Sequence, residues 1–192
     1  EWLAGVPLQP AERLTWTVAD GTEIEGWLIR PVGYEAGRPY PMILKIHGGP
    51  HGAYGNTFFR TFHVLSNTGF FVLYTNPRGS TGYGNKLRLA GFREWGGKMQ
   101  NDITDGVKHL IAKGIADAKR IGIYGASYGG YATMAGLCFT PELYRCGINY
   151  VGVTDIDLIL KEYPLPKKIN DAIDAVMIAD RKKDRDWIKS RS

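Results

Sequence analysis

The sequence predicts an α/β fold, a mostly parallel twisted sheet with helices on both faces. Three observations carry this. Four short apolar runs, at 42–46, 70–74, 120–124 and 146–151, have the length and composition of buried strands. Between them lie stretches whose apolar residues recur at helical spacing, as the crossover between parallel neighbours requires. The runs stop at or near glycine-bearing loops, and glycine is abundant, at 25 of 192 residues, as turns and close backbone approaches demand.

In chain order, Leu14, Trp16 and Val18 alternate, Asp20-Gly21 marks a turn, and Ile24, Gly26 and Leu28 alternate again. The chain therefore opens with an antiparallel hairpin. A Pro- and Gly-bearing connection over 31–39 leads to Met42-Ile43-Leu44-Lys45-Ile46, a strand that stops at His47-Gly48-Gly49-Pro50. Phe58, Phe59, Phe62 and Leu65 have helical spacing, and Phe70-Phe71-Val72-Leu73-Tyr74 is the next strand. Ile103, Val107, Leu110 and Ile111 form one apolar face of a helix from Asp102 to Ala112, which leaves His109 off that face and solvated. Arg120 to Tyr124 is a third strand, Tyr128 to Phe139 a helix of small residues, and Cys146 to Val151 a fourth strand.

Composition narrows the function classes. The length suits one domain with a sizeable core. With 44% hydrophobic and 22% charged residues the chain is globular rather than disordered. No run approaches the roughly 18 apolar residues of a membrane helix, so no membrane partner is expected. The net charge of +5 is concentrated in residues 181–192, where acids interleave the bases. Such an end is a solvated surface, and nucleic acid is not expected as a partner. Cys138 and Cys146 lack C-x-x-C spacing and read as small buried hydrophobes. Glu1-Trp2-Leu3-Ala4 has neither an initiating Met nor a leader pattern, so the expectation is an excerpt of a longer protein. A cytoplasmic location is favoured, with a periplasmic or secreted one left open.

The sharpest chemical signal is Gly125-Ala126-Ser127-Tyr128-Gly129-Gly130, between a strand and a helix. A Ser on a sharp strand-to-helix turn needs small residues two positions either side, because the backbone doubles back on itself. Such a turn lifts the Ser127 hydroxyl above the sheet and sets it at a helix N-terminus, where amide groups favour developing negative charge. Ser127 is the candidate nucleophile and the Tyr128 N–H the first oxyanion donor. His47-Gly48-Gly49-Pro50 ends an earlier strand, from which the second donor comes; the Gly49 N–H is that candidate. His47 is read as ordering this loop by hydrogen bonds, ahead of donating directly. His47 and His51 would share a metal only on a helix, which Gly-Gly-Pro forbids, so no metal is expected. Asn76-Pro77-Arg78-Gly79-Ser80-Thr81-Gly82-Tyr83-Gly84 lacks the Lys-Ser/Thr of a phosphate cradle and reads as a turn whose Arg78 pairs with a carboxylate.

These motifs in this order resemble the prolyl oligopeptidase family of serine peptidases, in its dipeptidyl-peptidase and acylaminoacyl-peptidase-like branch. The resemblance spans nearly the whole chain, from the Asp20-Gly21 hairpin through Tyr40-Pro41, the His47 loop, the Asn76 turn and Asp102 to Gly125–Tyr131. It implies an α/β-hydrolase peptidase domain without cofactor, of which residues 1–192 are the amino-terminal and central part. It also implies an upstream β-propeller and a downstream segment with the triad Asp and His, both outside these residues. The segment after the fourth strand then lines the specificity pocket, with Val153, Ile156, Ile159 and Tyr163 as candidates. Some relatives hold Trp and Tyr at the positions of Ile156 and Ile159, so a broad apolar pocket is expected, with core packing the alternative for these isoleucines.

The four histidines, His47, His51, His63 and His109, all precede Ser127, whereas the triad of this fold runs Ser, acid, His. Asp155 and Asp157 follow the fourth strand, where an acid or a helix cap would sit. The expected function is a serine exo- or oligopeptidase acting on short peptides, with residues 1–192 inactive alone. A carboxylesterase and a non-catalytic interaction module are the alternatives. An apolar strand left at the sheet edge is expected to invite pairing with another chain or a homo-oligomer.

Overall fold

A computed structural model describes residues 3–162 and 173–192. In chain order they form β1 (Ala11–Thr17), β2 (Glu23–Ile29), β3 (Tyr40–Ile46), α1 (Arg60–Asn67), β4 (Phe71–Asn76), α2 (Gly84–Leu89), α3 (Lys98–Ala112), β5 (Ala116–Ala126), α4 (Tyr128–Phe139), β6 (Cys146–Tyr150), α5 (Ile156–Glu162) and α6 (Arg185–Arg191). The strands build one sheet in the order β1-β2-β4-β3-β5-β6. The opening hairpin is antiparallel with Trp16 opposite Ile24, and β2 joins antiparallel to β4. The β4–β3, β3–β5 and β5–β6 pairs are parallel, each with a helix between its strands in sequence.

The alternation of side chains along a strand decides the layers. Met42, Leu44 and Ile46 of β3 and Ile121 and Ile123 of β5 point to one face. There Met99, Ile103, Val107 and Leu110 of α3 and Tyr131, Ala132 and Ala135 of α4 close the main core over them. On the opposite face Val72 and Tyr74 of β4 pack against Phe62 of α1. Lys45 lies on this second side, 7% exposed, with its Nζ 3.0 Å from the centroid of the Tyr124 ring. Among the described residues no carboxylate pairs with it, and burial brings its pKa down to about 8.

Toward β6 the second face is open, with Ile148 and Tyr150 59% and 60% exposed. This corrects the reading of the two cysteines, which are both exposed. Cys146 shares the uncovered side of the edge strand with Ile148 and Tyr150. Cys138 stands one turn after the exposed Met134 on the outer stripe of α4. His109 also departs from expectation, being half-buried at the side of α3, where burial lowers its pKa. Among the described residues no helix is long and apolar enough to cross a membrane.

A buried ion cluster ties the hairpin, the loop after β4 and α3 together. Arg78 donates through Nε and Nη2 to the two carboxylate oxygens of Asp102, each at 2.8 Å, and through Nη1 to Asp20 at 2.8 Å. Asp102 is fully buried. Its backbone carbonyl accepts from Trp16 Nε1 at 2.9 Å. The expected partner of Arg78 is thus two carboxylates, one from each side of the loop, in the forked geometry that guanidinium favours.

Candidate active site

The chain passes from β5 into α4 through one residue, Ser127, at φ 57 and ψ −121. That is sparsely populated backbone for a residue with a Cβ, and the surroundings hold it there. Its N–H donates to Tyr150 O at 3.1 Å, extending the β5–β6 ladder. Its carbonyl accepts from the amides of Gly130 and Tyr131 at 2.9 and 3.1 Å. The spacing of small residues has a steric cause: a Cβ on Gly125 would strike the Gly129 carbonyl, and one on Gly129 would strike the carbonyl of Ile46. The Ser127 side chain is exposed at the crest of this bend. Tyr128 N–H is the first amide of α4 and has no preceding turn to donate into. Its side chain is buried against Trp95, ring centroids 4.8 Å apart, and burial pushes the phenol pKa well above its ordinary value. The Tyr128 side chain is thus committed to the core, and its phenol is not a group of the cleft surface.

The loop after β3 comes up beside this bend. A Cβ on Gly48 would lie 3.4 Å from Ser127 Cβ and 3.9 Å from its Oγ. Gly49 has φ +121, and a Cβ there would strike the amide of His51. His47 is 7% exposed, and both of its ring nitrogens are engaged. Nδ1 lies 2.8 Å from Gly48 O and Nε2 2.9 Å from Ser80 Oγ. Burial lowers its pKa, so the ring is neutral at pH 7. His47 is thus an organiser of the loop, as its place at the strand end suggests. The loop is tied to the one after β4. The amides of Tyr54 and Thr81 donate to Asn76 Oδ1 and Gly52 O at 2.7 and 3.0 Å, and His51 Nδ1 donates to Gly79 O at 2.8 Å.

A cavity of about 280 Å³ opens over the bend, and Gly49, Ser127, Tyr128, Val153 and Ile159 all line it. Ile156 does not. It is fully buried in the main core, in one cluster with Leu160 and Ile188. Of the two readings for Ile156, the structure gives core packing rather than the pocket, whereas Leu160, one turn later, belongs to the core and also lines the cleft. Tyr163 lies outside the described residues. Asp155 caps α5 by accepting from the Leu158 amide at 2.9 Å, and Asp157 pairs with Arg181. A larger hollow of about 570 Å³ lies between α5 and α6, but mostly charged residues line it, Asp157 and Arg181 as an ion pair, and Ser127 is not among them.

Sequence reasoning missed further cleft residues: His51, Trp95, Met177 and Ile178. Trp95-Gly96-Gly97 ahead of α3 was the available sign, an aromatic residue beside two positions of close approach. The wall at 173–178 shows no local signature. Among the described residues no group of three or more His, Cys, Asp or Glu could hold a metal ion.

Comparison with known proteins matches residues 56–172 to the prolyl oligopeptidase family. The chain is 36% identical over 170 residues to dipeptidyl aminopeptidase BIII of Pseudoxanthomonas mexicana, covering 84% of this chain and 24% of that protein. It is 44% identical over 163 residues to the uncharacterized peptidase YuxL of Bacillus subtilis, covering 80% and 25%. Among solved structures, an acylaminoacyl peptidase in complex with Z-Gly-Gly-Phe-chloromethyl ketone superposes with a TM-score of 0.87 at 29% identity. That match takes in 100% of this chain and 30% of the peptidase, so the chain spans about a quarter to a third of the relatives' length. With the strand–Ser–helix bend, the Gly48-Gly49 loop and the sheet order of an α/β-hydrolase in one chain, the protein belongs to the prolyl oligopeptidase family.

Proposed function

We propose that this chain supplies the nucleophile, both oxyanion donors and part of the specificity pocket of a serine peptidase that cleaves short peptides through an acyl-enzyme. Ser127 Oγ attacks the scissile carbonyl carbon as its proton passes to a base. The carbonyl oxygen becomes an oxyanion that accepts from the Tyr128 and Gly49 amides. The C–N bond then breaks, the amine leaves with the proton returned by the base, and water releases the acid by the same steps reversed. In the family pattern the base is a His that follows the nucleophile in sequence, and this chain has no His after Ser127. Without it the serine hydroxyl is a weak nucleophile, and residues 1–192 alone are expected to show no turnover.

The observation that carries this reading is the exposed Ser127 on a strained bend directly beside the Gly48-Gly49 loop, with Gly49 and Ser127 both lining one cleft. Val153, Ile159, Met177 and Ile178 in the lining favour an apolar side chain at the cleaved bond. The related acylaminoacyl peptidase was captured with a peptide ketone ending in Phe, which fits that preference. Strand β6 ends the sheet, and its free backbone edge is where a further strand would pair.

The test uses the full-length protein. It should hydrolyse aminoacyl-arylamides with an apolar acyl residue faster than short acyl esters, and a fluorophosphonate should label Ser127. Ser127→Ala should remove both, lowering turnover by at least 10³-fold. Ester preference would select the carboxylesterase reading, and an unlabelled Ser127 would select a binding module.

A further inference from the structure

We propose that Ser80 is a positioning residue for the oxyanion site: its hydroxyl selects the His47 tautomer that turns the Gly48 carbonyl away and so aims the Gly49 N–H at the cleft. This rests on the acyl-transfer reading above and adds to it a residue that never touches substrate.

The need for such a device lies in the loop itself. Gly48 and Gly49 have no Cβ and tolerate many backbone conformations, so the peptide between them has no intrinsic orientation. That peptide is trans, and in a trans peptide the C=O and N–H point in opposite directions. Whatever holds the Gly48 oxygen therefore sets where the Gly49 amide points. The oxygen lies 2.8 Å from His47 Nδ1. It also faces Gly52, where a Cβ would approach it to 3.0 Å. The carbonyl is thus packed toward the His47 ring and Gly52, and the amide on its far side belongs to a residue that lines the cleft with Ser127.

A carbonyl only accepts, so His47 must carry its proton on Nδ1. A neutral imidazole then has a bare lone pair on Nε2, and that nitrogen needs a donor. Ser80 Oγ, 2.9 Å away and fully buried, is that donor. Without the hydroxyl the proton could move to Nε2, leaving the Nδ1 lone pair against the Gly48 oxygen. Two acceptors at hydrogen-bond distance repel, and the peptide would rotate to relieve the contact.

Ser80 is itself held to a single position. Its amide donates to Pro77 O at 3.1 Å, the Gly79 amide to Leu87 O at 2.9 Å, and Arg78, two residues before it, is anchored by its fork to Asp102. The ion cluster thus fixes the Asn76–Ser80 turn, and hydrogen bonds run on from Ser80 through the imidazole to the oxyanion loop. This also accounts for a polar side chain buried 33 positions away from the histidine it serves.

The test compares Ser80→Ala, Ser80→Thr and Ser80→Val in the full-length protein, with fluorophosphonate labelling of wild-type Ser127 as reference. Thr and Val match in shape, so their difference reports the hydroxyl whatever strain the added methyl brings. Loss of a whole oxyanion donor lowers kcat by roughly 10²–10³-fold, and misaiming one should lower it by about 10–100-fold in the Ala and Val variants. KM for an aminoacyl-arylamide should stay within about twofold. A peptidyl trifluoromethyl ketone, which forms an oxyanion on Ser127, should lose affinity by the same factor as kcat, while a non-covalent peptide amide should bind as before. Thr should keep most of the activity. The proposal is overturned if Val equals Thr, if kcat in the Ala variant stays within twofold, or if ketone and peptide amide weaken together. If the wild-type protein is not labelled at Ser127, the acyl-transfer reading falls and this one with it.

Discussion

The two walls of the cleft are built from different materials. One is the pair of loops after β3 and β4, joined through a buried hydrogen bond between His47 and Ser80 and half-buried ones between Tyr54 and Asn76 and between Thr81 and Gly52. The other comprises Val153, Ile159, Met177 and Ile178, an apolar surface that packs on the main core through Val153, Ile159 and Ile178 and is tied at its 173–178 side from outside. Arg93, itself at φ 61, donates its amide to Met177 O at 2.9 Å. Its guanidinium reaches Ala175 O at 2.9 Å and the Asp184 carboxylate at 2.7 Å. A buried polar group that loses its partner costs about 1–3 kcal/mol, whereas an exposed ion pair contributes about 0–1 kcal/mol. The wall that would do chemistry is thus fixed by bonds too costly to break. The wall that would choose substrates leans on the main core through apolar contacts, and its 173–178 side is tied outside only by weak exposed pairs, so that side can adapt.

The strongest way to break this contrast is Asp102→Ala. It leaves Arg78 buried without its main counter-charge, and breaking such a pair should destabilise by about 3–5 kcal/mol. Urea unfolding would show this, and a loss below 1 kcal/mol would mean the rigid wall does not depend on the ion cluster.

A smaller effect concerns Lys45, whose strand leads into the same wall. Its folded pKa of about 8 lies below the unfolded value of 10.5, so between these two pH values the unfolded chain binds the extra proton. Stability should therefore rise with pH across that window relative to Lys45→Met, by up to about 3 kcal/mol at 1.36 kcal/mol per pH unit. The ring of Tyr124 supports the ammonium and should reduce this figure. A flat difference between the two proteins from pH 8 to 10.5 would show that Lys45 is not desolvated as described.

The smallest change in stability is expected for Arg93→Ala, about 1 kcal/mol or less. Its signature is in substrate choice: KM for substrates with a large apolar residue should rise a few-fold, while kcat for a short acyl ester stays the same. Equal effects on both would remove the division of labour between the walls.

Much of this was legible in the chain because it is local. The hairpin, the strands and helix α4 follow from alternation and periodicity, and the bend at Ser127 follows from glycines two residues away on either side. The pairing of Arg78 with a carboxylate was readable as a need, though not the identity of both partners, 24 and 58 positions distant. Failures came where burial depends on a neighbour. Cys146 looked like a core residue by type, but its strand is an edge with one face open. Ile156 and Ile159 were equivalent on paper, and only the rotation of α5 against the core decided that Ile156 is wholly buried while Ile159 stays partly open and lines the cleft.

By itself the sequence determined the α/β layering, the sharp turn that lifts Ser127 and the glycine-rich loop at the end of β3, since short-range sterics and hydrophobic period need only nearby residues. Tertiary structure alone decided that His47 meets Ser80, that two loops become one wall and that 173–178 becomes the other. Those pairings join residues remote in sequence, whose meeting depends on how the sheet stacks its strands.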